Sequence, residues 1–295
     1  MTPRDSVLPA TLAAALDLLA EHRYRVVAGG THLVPRNRRG ADVPVDLGAP
    51  PLFIRFLPEL GTLDAEGGYT IGATVTLAAL RRSPACPPGF AEVIDEFASP
   101  AVRASATVGG NVCNASPAAD LLPPLLAHDA EIAIASREGT RRLTVADFVR
   151  GPGAVALDAT ELAVRVVLPA SPLLEGETYR YYRKVAPRRS NALSKLSIYV
   201  AAAARGGRLT SSAIALGAVA PTVVRRRELE ERIVGLTAAE LRARGAALVE
   251  QYESSLRPID DQRSTQTYRR ATALRMLRFV LTEDLPRYVQ HTEEP

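Results

Sequence analysis

The chain has 295 residues, 47% hydrophobic and 23% charged, ordinary proportions for a globular protein with length enough for a buried core and two or three domains. The net charge of +4 looks basic, yet only Lys184 and Lys195 among 36 basic residues are lysine. The Arg runs at 36–39 and 225–227 lack interleaved aromatics and read as solvated surface, not as a nucleic-acid track.

The two cysteines, Cys86 and Cys113, have no metal-ligand spacing, so this chain alone is expected to hold no iron–sulfur cluster or structural zinc. A disulfide between them is left open. No run of 18 uncharged apolar residues occurs, so no transmembrane helix is expected. Asp17 and Glu21 interrupt the N-terminal apolar stretch, which does not read as a signal peptide. The expected location is a reducing cytoplasm.

Leu8, Leu12, Ala15, Leu16 and Leu19 recur at helical spacing and predict an amphipathic helix over 10–22. Tyr24–Val27 reads as a short strand that delivers the chain to Val26-Val27-Ala28-Gly29-Gly30-Thr31-His32-Leu33. A strand ending in glycines and turning into Thr31 suits an anion-binding nest. It lacks the three spaced glycines of the dinucleotide fingerprint, which disfavours an ordinary Rossmann domain. His32 is either a ligand contact or a solvated loop histidine. Pro44, Pro50, Pro51 and Pro58 then break the chain, with brief strands at Val45–Leu47 and Phe53–Phe56.

Residues 62–77 alternate about Gly67-Gly68 as a hairpin does. Thr76 is placed to cap a short helix through Arg82. A second helix over about 89–98 sets Phe90, Val93, Ile94 and Phe97 on one face; Phe97 is core by default, with a ligand-facing role as the alternative.

The stretch 103–126 is the centre of the chain. Thr107-Val108-Gly109-Gly110-Asn111 joins a β-branched pair to a double glycine and an amide, and Asp120 follows ten residues after Gly110. Glycines beside hydroxyls and amides let a backbone approach a ligand and aim N–H groups at it. The plain alternative is a Gly-Gly turn with an Asn/Ser-rich loop. Two such loops, 80 residues apart, suggest two walls of one site.

Asp120 leads into an apolar helix over 121–126. Glu131–Ala135 and Arg142–Val145 form a hairpin across Glu138-Gly139, and Glu161–Leu168 is a strand closed by Pro169. The composition changes at about 170–176, which divides the chain into 1–172, with subdomains 1–58 and 59–172, and 173–295. Tyr179–Ser190 alternates aromatic and cationic residues. A half-buried strand is the preferred reading there, over a base-stacking platform or a flavin neighbour. Leu196–Ala204 and Thr210–Val219 read as antiparallel strands around Arg205–Arg208. Three helices follow near 225–234, 237–253 and 264–284, the last turning Leu274, Leu277, Val280 and Leu281 inward.

Val27–Leu33 and Thr107–Pro123, supported by Tyr69–Leu77, Arg183–Arg189 and Ala213–Thr222, resemble the flavin-binding subunit of the molybdenum-containing hydroxylases. That family includes xanthine dehydrogenase, carbon monoxide dehydrogenase, nicotinate dehydrogenase and 4-hydroxybenzoyl-CoA reductase. The resemblance runs from about residue 7 to 284 and is most specific in the second loop. It implies an α+β protein: a p-cresol methylhydroxylase-type FAD-binding domain of two α/β subdomains, then a small α+β domain of antiparallel sheet plus helices.

By that resemblance Val26, Val27, Ala28, Gly29, Gly30, Thr31, His32 and Leu33, with Thr107, Val108, Gly109, Gly110 and Asn111, hold the FAD pyrophosphate through backbone N–H groups. Side-chain donors would come from Thr31, Thr107 and Asn111. Asp120 matches a position that accepts from ribitol or ribose hydroxyls, although a helix N-cap is equally sound chemistry there. Phe97 matches an aromatic near the adenine, Lys184 a cation near the isoalloxazine carbonyls, and Ala163 a contact made mainly through backbone. His32 departs from the acidic or small polar residue common in the family, and the cysteine-rich insertion of the benzoyl-CoA reductase branch is absent.

The implied function is that of an oxidoreductase subunit. Hydroxylation would occur on a molybdopterin-binding large subunit and electrons would cross [2Fe–2S] clusters on an iron–sulfur subunit. FAD on this chain would pass them to NAD, a quinone or another acceptor, with no catalytic residue and no metal of its own. The alternatives are a self-contained FAD oxidase or reductase, which Tyr181 and Tyr182 keep open, and a flavin-free scaffold.

Overall fold

The computed structural model describes residues 6–37, 46–188 and 191–292, and the chain forms two units. The first gathers the described residues up to Cys86 with Ala98–Ala115 and Ala130–Pro169. The second gathers Pro87–Phe97, Ser116–Asp129 and the described residues from Ala170 onward.

In the first unit Thr11 Oγ1 accepts from Ala14 N at 3.2 Å and opens α1 (Leu12–Glu21), whose Ala15, Leu16 and Leu19 are buried as the spacing predicts. β1 (Arg25–Val27) pairs in parallel with β2 (Pro51–Phe53), Val26 opposite Leu52. The short helix α2 (Leu33–Asn37) lies between them in sequence. The strand expected over Phe53–Phe56 ends at Phe53, because Leu57 N turns back to Ile54 O at 3.2 Å ahead of Pro58. Of the strand expected at Val45–Leu47, Val45 lies outside the described residues, and Asp46 and Leu47 are irregular.

β3 (Leu63–Asp64) and β4 (Gly68–Gly72) form the expected hairpin, Leu63 opposite Ile71. Thr76 caps α3 (Leu77–Arg82), its Oγ1 accepting from Ala79 N at 3.0 Å. α4 (Phe90–Asp95) belongs to the second unit, whereas α5 (Pro100–Ser105) and α6 (Val108–Cys113) return to the first. α7 (Leu122–Ala127) is again in the second. β5 (Glu131–Ser136) and β6 (Gly139–Thr144) then make the second expected hairpin. After α8 (Val145–Phe148) and the small pair β7 (Val149–Gly151) and β8 (Ala154–Val155), β9 (Leu162–Pro169) completes a five-stranded antiparallel sheet in the order β3-β4-β9-β5-β6. β9 is central, and its Leu162, Ala163, Val164, Val166 and Leu168 are all buried, as a strand covered on both faces requires.

The second unit is built on the antiparallel sheet of β10 (Tyr179–Val185), β11 (Leu196–Arg205), β12 (Arg208–Gly217) and β13 (Val224–Arg225), in that order. α9 (Arg227–Glu231), α10 (Ala238–Glu253), α11 (Gln266–Phe279) and α12 (Leu285–His291) follow. Thr237 and Glu240 close a reciprocal capping box at the start of α10. The helix expected over 264–284 changes character. Its α-helical part ends at Phe279 and a π-helical turn, Val280–Asp284, carries the chain into α12, which the periodicity does not predict. Leu277, Val280 and Leu281 are buried, whereas Leu274 only packs on the core from its edge.

The Arg run at 225–227 is corrected. The Arg225 side chain is 8% exposed: its Nε lies 3.0 Å from both Glu230 oxygens, and its Nη1 donates to Leu126 O at 2.6 Å and to Asp129 Oδ1 at 2.7 Å. It is therefore an internal tie; Arg226 and Arg227 pair with Glu228 and Asp129 nearer the surface. In the other run, residues 38 and 39 lie outside the described residues, as does Arg189 of the Tyr179–Ser190 segment.

α4 and α7 are seated on this unit by apolar and polar contacts together. Phe90, Val93 and Ile94 are buried, as are Leu122, Pro123, Pro124, Leu125 and Ala127. His128, at the end of α7, is 2% exposed, its Nε2 is 2.9 Å from Tyr199 Oη, and its ring centroid is 6.2 Å from that of Phe90. Burial, then the charges of Arg180 and Arg225, push the imidazole down to about 3. The unfolded chain therefore binds one proton more than the folded chain between about pH 6.5 and pH 3. Stability at neutral pH is expected to fall on acidification through that window, by up to about 1.4 kcal/mol per pH unit from this group. Urea unfolding of His128→Gln across the same range should show a shallower slope than the unmutated chain.

Candidate functional site

The first glycine loop leaves β1 at the end of the parallel pair and runs into α2. Val26 and Val27 are its strand residues, with Val27 in the core, and Ala28 packs against the same cluster. Gly30 has φ +67, which a side chain would make strained. Gly29 is needed for a different reason: a Cβ there would lie 2.1 Å from Ser105 O and 3.2 Å from Ala106 Cα. The first loop thus lies against the segment that leads into the second. Arg55 holds that segment, Nη1 donating to Ser105 O at 2.7 Å and Nη2 to Ala104 O at 3.2 Å. Nothing in the sequence marks Arg55 for this.

Among the described residues, the amides of Gly29, Gly30, Thr31 and His32 donate to no acceptor; the next one that does is Val34, to Gly30 O at 3.0 Å. Consecutive unsatisfied N–H groups on a glycine turn are the donor set an anion needs. The His32 side chain is exposed, and desolvation followed by the Arg36 charge lowers its pKa. Leu33 begins α2.

The second loop is a helix start. Thr107 Oγ1 accepts from Gly110 N at 3.1 Å and caps α6. Neither glycine has a positive φ; each is there for closeness. A Cβ on Gly109 would come within 2.7–2.9 Å of Ala73, and one on Gly110 within 2.7 Å of Thr107 Oγ1. Backbone donation from this loop, implied by the resemblance, is already spent inside the fold. Val108 N donates to Val75 O, Gly109 N to Ala73 O and Asn111 N to Thr107 O, at 2.9–3.0 Å. What this loop retains is the Thr107 hydroxyl proton and the Asn111 side chain, whose Oδ1 is buried without a partner. A buried amide oxygen left alone is rare enough to need an explanation. Either orientation of that amide leaves polar capacity unused.

Ala163 lies on β9 and lines a tight apolar crevice with Ala73, Gly109, Val112 and Cys113. Burial pushes the Cys113 thiol up to about 12, which keeps it a packed, unreactive group at neutral pH. Cys86 and Cys113 form no disulfide. Among the described residues no group of three or more His, Cys, Asp or Glu side chains is placed to hold a metal ion.

Phe97, Asp120 and Lys184 belong to the second unit. Phe97 follows α4 and donates its N–H to Ile94 O at 3.0 Å. Asp120 does not cap a helix: α7 starts at Leu122, with Leu121 in the cap position and no side-chain cap. Instead, Lys184 Nζ lies 2.8 Å from Asp120 Oδ2 and donates to Glu96 O at 3.1 Å, and the Tyr182 hydroxyl reaches Asp120 Oδ1 at 3.5 Å. Burial lifts the Asp120 carboxyl above its ordinary range, and the Lys184 charge opposes the lift. Tyr182 was not among the expected site residues. The signal that could have found it is its spacing of two from Lys184, which puts both on one face of β10.

Comparison with known proteins agrees with this architecture. Residues 3–171 match the family model described as the FAD binding domain in molybdopterin dehydrogenase, and residues 180–283 that of the CO dehydrogenase flavoprotein C-terminal domain. The chain is 29% identical over 228 residues to a xanthine dehydrogenase FAD-binding subunit of Escherichia coli O157:H7, covering 75% of this chain and 76% of that one. It is 28% identical over 282 residues to the carbon monoxide dehydrogenase medium chain of Afipia carboxidovorans, covering 92% of each. A solved structure of reconstituted CO dehydrogenase from Oligotropha carboxidovorans matches with a TM-score of 0.83 at 26% identity, over 94% of this chain and 96% of that one.

The glycine contacts make a direct prediction. Gly109→Ala forces a Cβ into the Ala73 backbone and should cost about 1–3 kcal/mol. Gly151→Ala, whose Cβ would meet nothing within 4 Å, should melt close to the unmutated chain. Thermal unfolding of the two variants side by side checks the difference.

Proposed function

The chain belongs to the family of FAD-binding domains of the molybdopterin dehydrogenases, an oxidoreductase family, and from that premise we propose that its first glycine loop is the main pyrophosphate cradle. The supporting observation is the run of unpaired amides at Gly29–His32. Bound FAD supplies a redox centre able to accept electrons singly and release them in pairs.

The chain's own residues do the holding. The Gly29, Gly30, Thr31 and His32 amides donate to the diphosphate, with the hydroxyls of Thr31 and Thr107 and the Asn111 amide beside them. Each charge-assisted hydrogen bond contributes about 1.5–3 kcal/mol. Val26, Val27, Ala28, Leu33, Val108, Gly109 and Gly110 give the two loops their shape, and Ala163 contributes backbone. In the second unit Asp120 accepts from cofactor hydroxyls and Phe97 takes the adenine side, with Lys184 in the same group. In chain terms the FAD-binding domain is 1–172 and the C-terminal domain 173–295.

The complex we propose places hydroxylation on a molybdopterin-binding large subunit and [2Fe–2S] clusters on an iron–sulfur subunit. This chain hands electrons to NAD, a quinone or another acceptor in the cytoplasm. No helix among the described residues is long and apolar enough to cross a membrane. The self-contained oxidase reading rested on Tyr181 and Tyr182. Tyr181 packs against Phe279, with ring centroids 6.2 Å apart, and Tyr182 reaches Asp120. Burial raises the pKa of both phenols, the wrong direction for a proton acceptor.

Incubation of the purified chain with FAD should give a yellow protein with about one flavin per chain, bleached by dithionite. Asn111→Ala should weaken uptake by about tenfold or more. Hydroxylation of any substrate should require partner chains. A colourless protein after incubation overturns the cofactor reading, and substrate turnover by this chain alone would favour the oxidase.

A further inference from the structure

In the second unit one ammonium group holds two separate chain segments, and each carries a residue assigned to the cofactor. Lys184 Nζ lies 2.8 Å from Asp120 Oδ2 and 3.1 Å from Glu96 O. Asp120 lies in the segment Ser116–Asp129, and Glu96 directly precedes Phe97 in the segment Pro87–Phe97. The Lys184 side chain is 4% exposed and that of Asp120 8%. A cation sealed against a carboxylate at this distance is largely compensated, and little of its field is left for a third group.

The carboxylate is differently placed. Oδ2 is occupied by Lys184, but among the described residues Oδ1 meets only the Tyr182 hydroxyl, at 3.5 Å. That is the outer edge of a hydrogen bond, and a carboxylate oxygen has lone pairs to spare. We propose, resting on the FAD reading, that Lys184 is a positioning residue. It fixes the Asp120 carboxylate so that Oδ1 accepts from a polyol hydroxyl of the cofactor. By holding the Glu96 carbonyl it also fixes the chain that presents Phe97. This role replaces that of a bare charge on the isoalloxazine carbonyls. Tyr182, two residues away on the same face of β10, is the second support of the carboxylate.

The test uses the full chain. FAD affinity is measured by flavin fluorescence, and the midpoint potential is measured at saturating FAD. Lys184→Met strands a buried carboxylate and should weaken FAD binding by about 30-fold or more, with Lys184→Arg recovering part of the loss. Asp120→Asn should weaken binding as well, and the double variant Lys184→Met/Asp120→Asn should bind no worse than the poorer single variant, because coupled partners do not add. The potential should be the same in Lys184→Met as in the unmutated chain.

A lower potential in Lys184→Met with unchanged affinity overturns the proposal. So do losses in affinity that multiply in the double variant. Should Lys184→Met fail to fold, the double variant and Asp120→Asn decide: a double variant weaker than Asp120→Asn by clearly less than about 30-fold supports the pair, and one weaker by that factor or more overturns it. An unmutated chain that takes up no FAD fails the cofactor reading itself, whereas failure of the positioning role shows only among variants of a chain that binds FAD.

Discussion

Packing too close to admit a side chain on the glycine is the constraint on which the first unit depends. Gly29 lies against Ser105 and Gly109 against Ala73, so the loop after β1, the segment after α5 and the hairpin ending at β4 converge within van der Waals reach. The consequence is chemical as well as steric. Once α6 is seated, its first amides are consumed by Val75, Ala73 and Thr107, and the donors left over lie on the other loop. Close packing of one glycine pair therefore decides which glycine pair is available to an anion.

The second unit solves a different problem. It must seat two excursions of the chain, Pro87–Phe97 and Ser116–Asp129, on a sheet formed much later in sequence. Apolar burial of α4 and α7 supplies the bulk of the adhesion, and buried polar ties fix the register. Arg225 grips the end of α7 through Leu126 O and Asp129, His128 meets Tyr199, and Lys184 meets Asp120 and Glu96. Such ties add less stability than their Coulomb energy suggests, because each partner had to leave water. Their directional geometry favours one seating over its neighbours.

Much of this fold is legible in the sequence wherever an element is long or punctuated. α1, both hairpins of the first unit, the Thr76 cap and the β11–β12 pair follow from periodicity and turn residues. α2, α5 and α6 do not, because five or six residues complete less than two turns and carry no usable period. In α6 the double glycine argues locally for a turn, and tertiary contact with Ala73 overrides it. The candidate site divides the same way. Glycine spacing marks both loops, but no sequence rule reports that one set of amides is spent and the other is not. Asp120 and Lys184 are visible as residues; their pairing spans 64 positions and belongs to the tertiary fold. Arg225, set in a run of three arginines, looks like surface until its partners are seen.

The near absence of lysine gives the buried pair an experimental use. Amine-directed reagents meet only two lysine side chains in the described chain. Lys195 is partly exposed, its ammonium 5.4 Å above the Tyr268 ring, whereas Lys184 is sealed beneath Asp120. Acylation of Lys184 must wait for the two segments it holds to lift away, so its labelling rate reports the local opening of this unit. Lys195 serves as the internal clock for reagent strength, and no engineered probe is required.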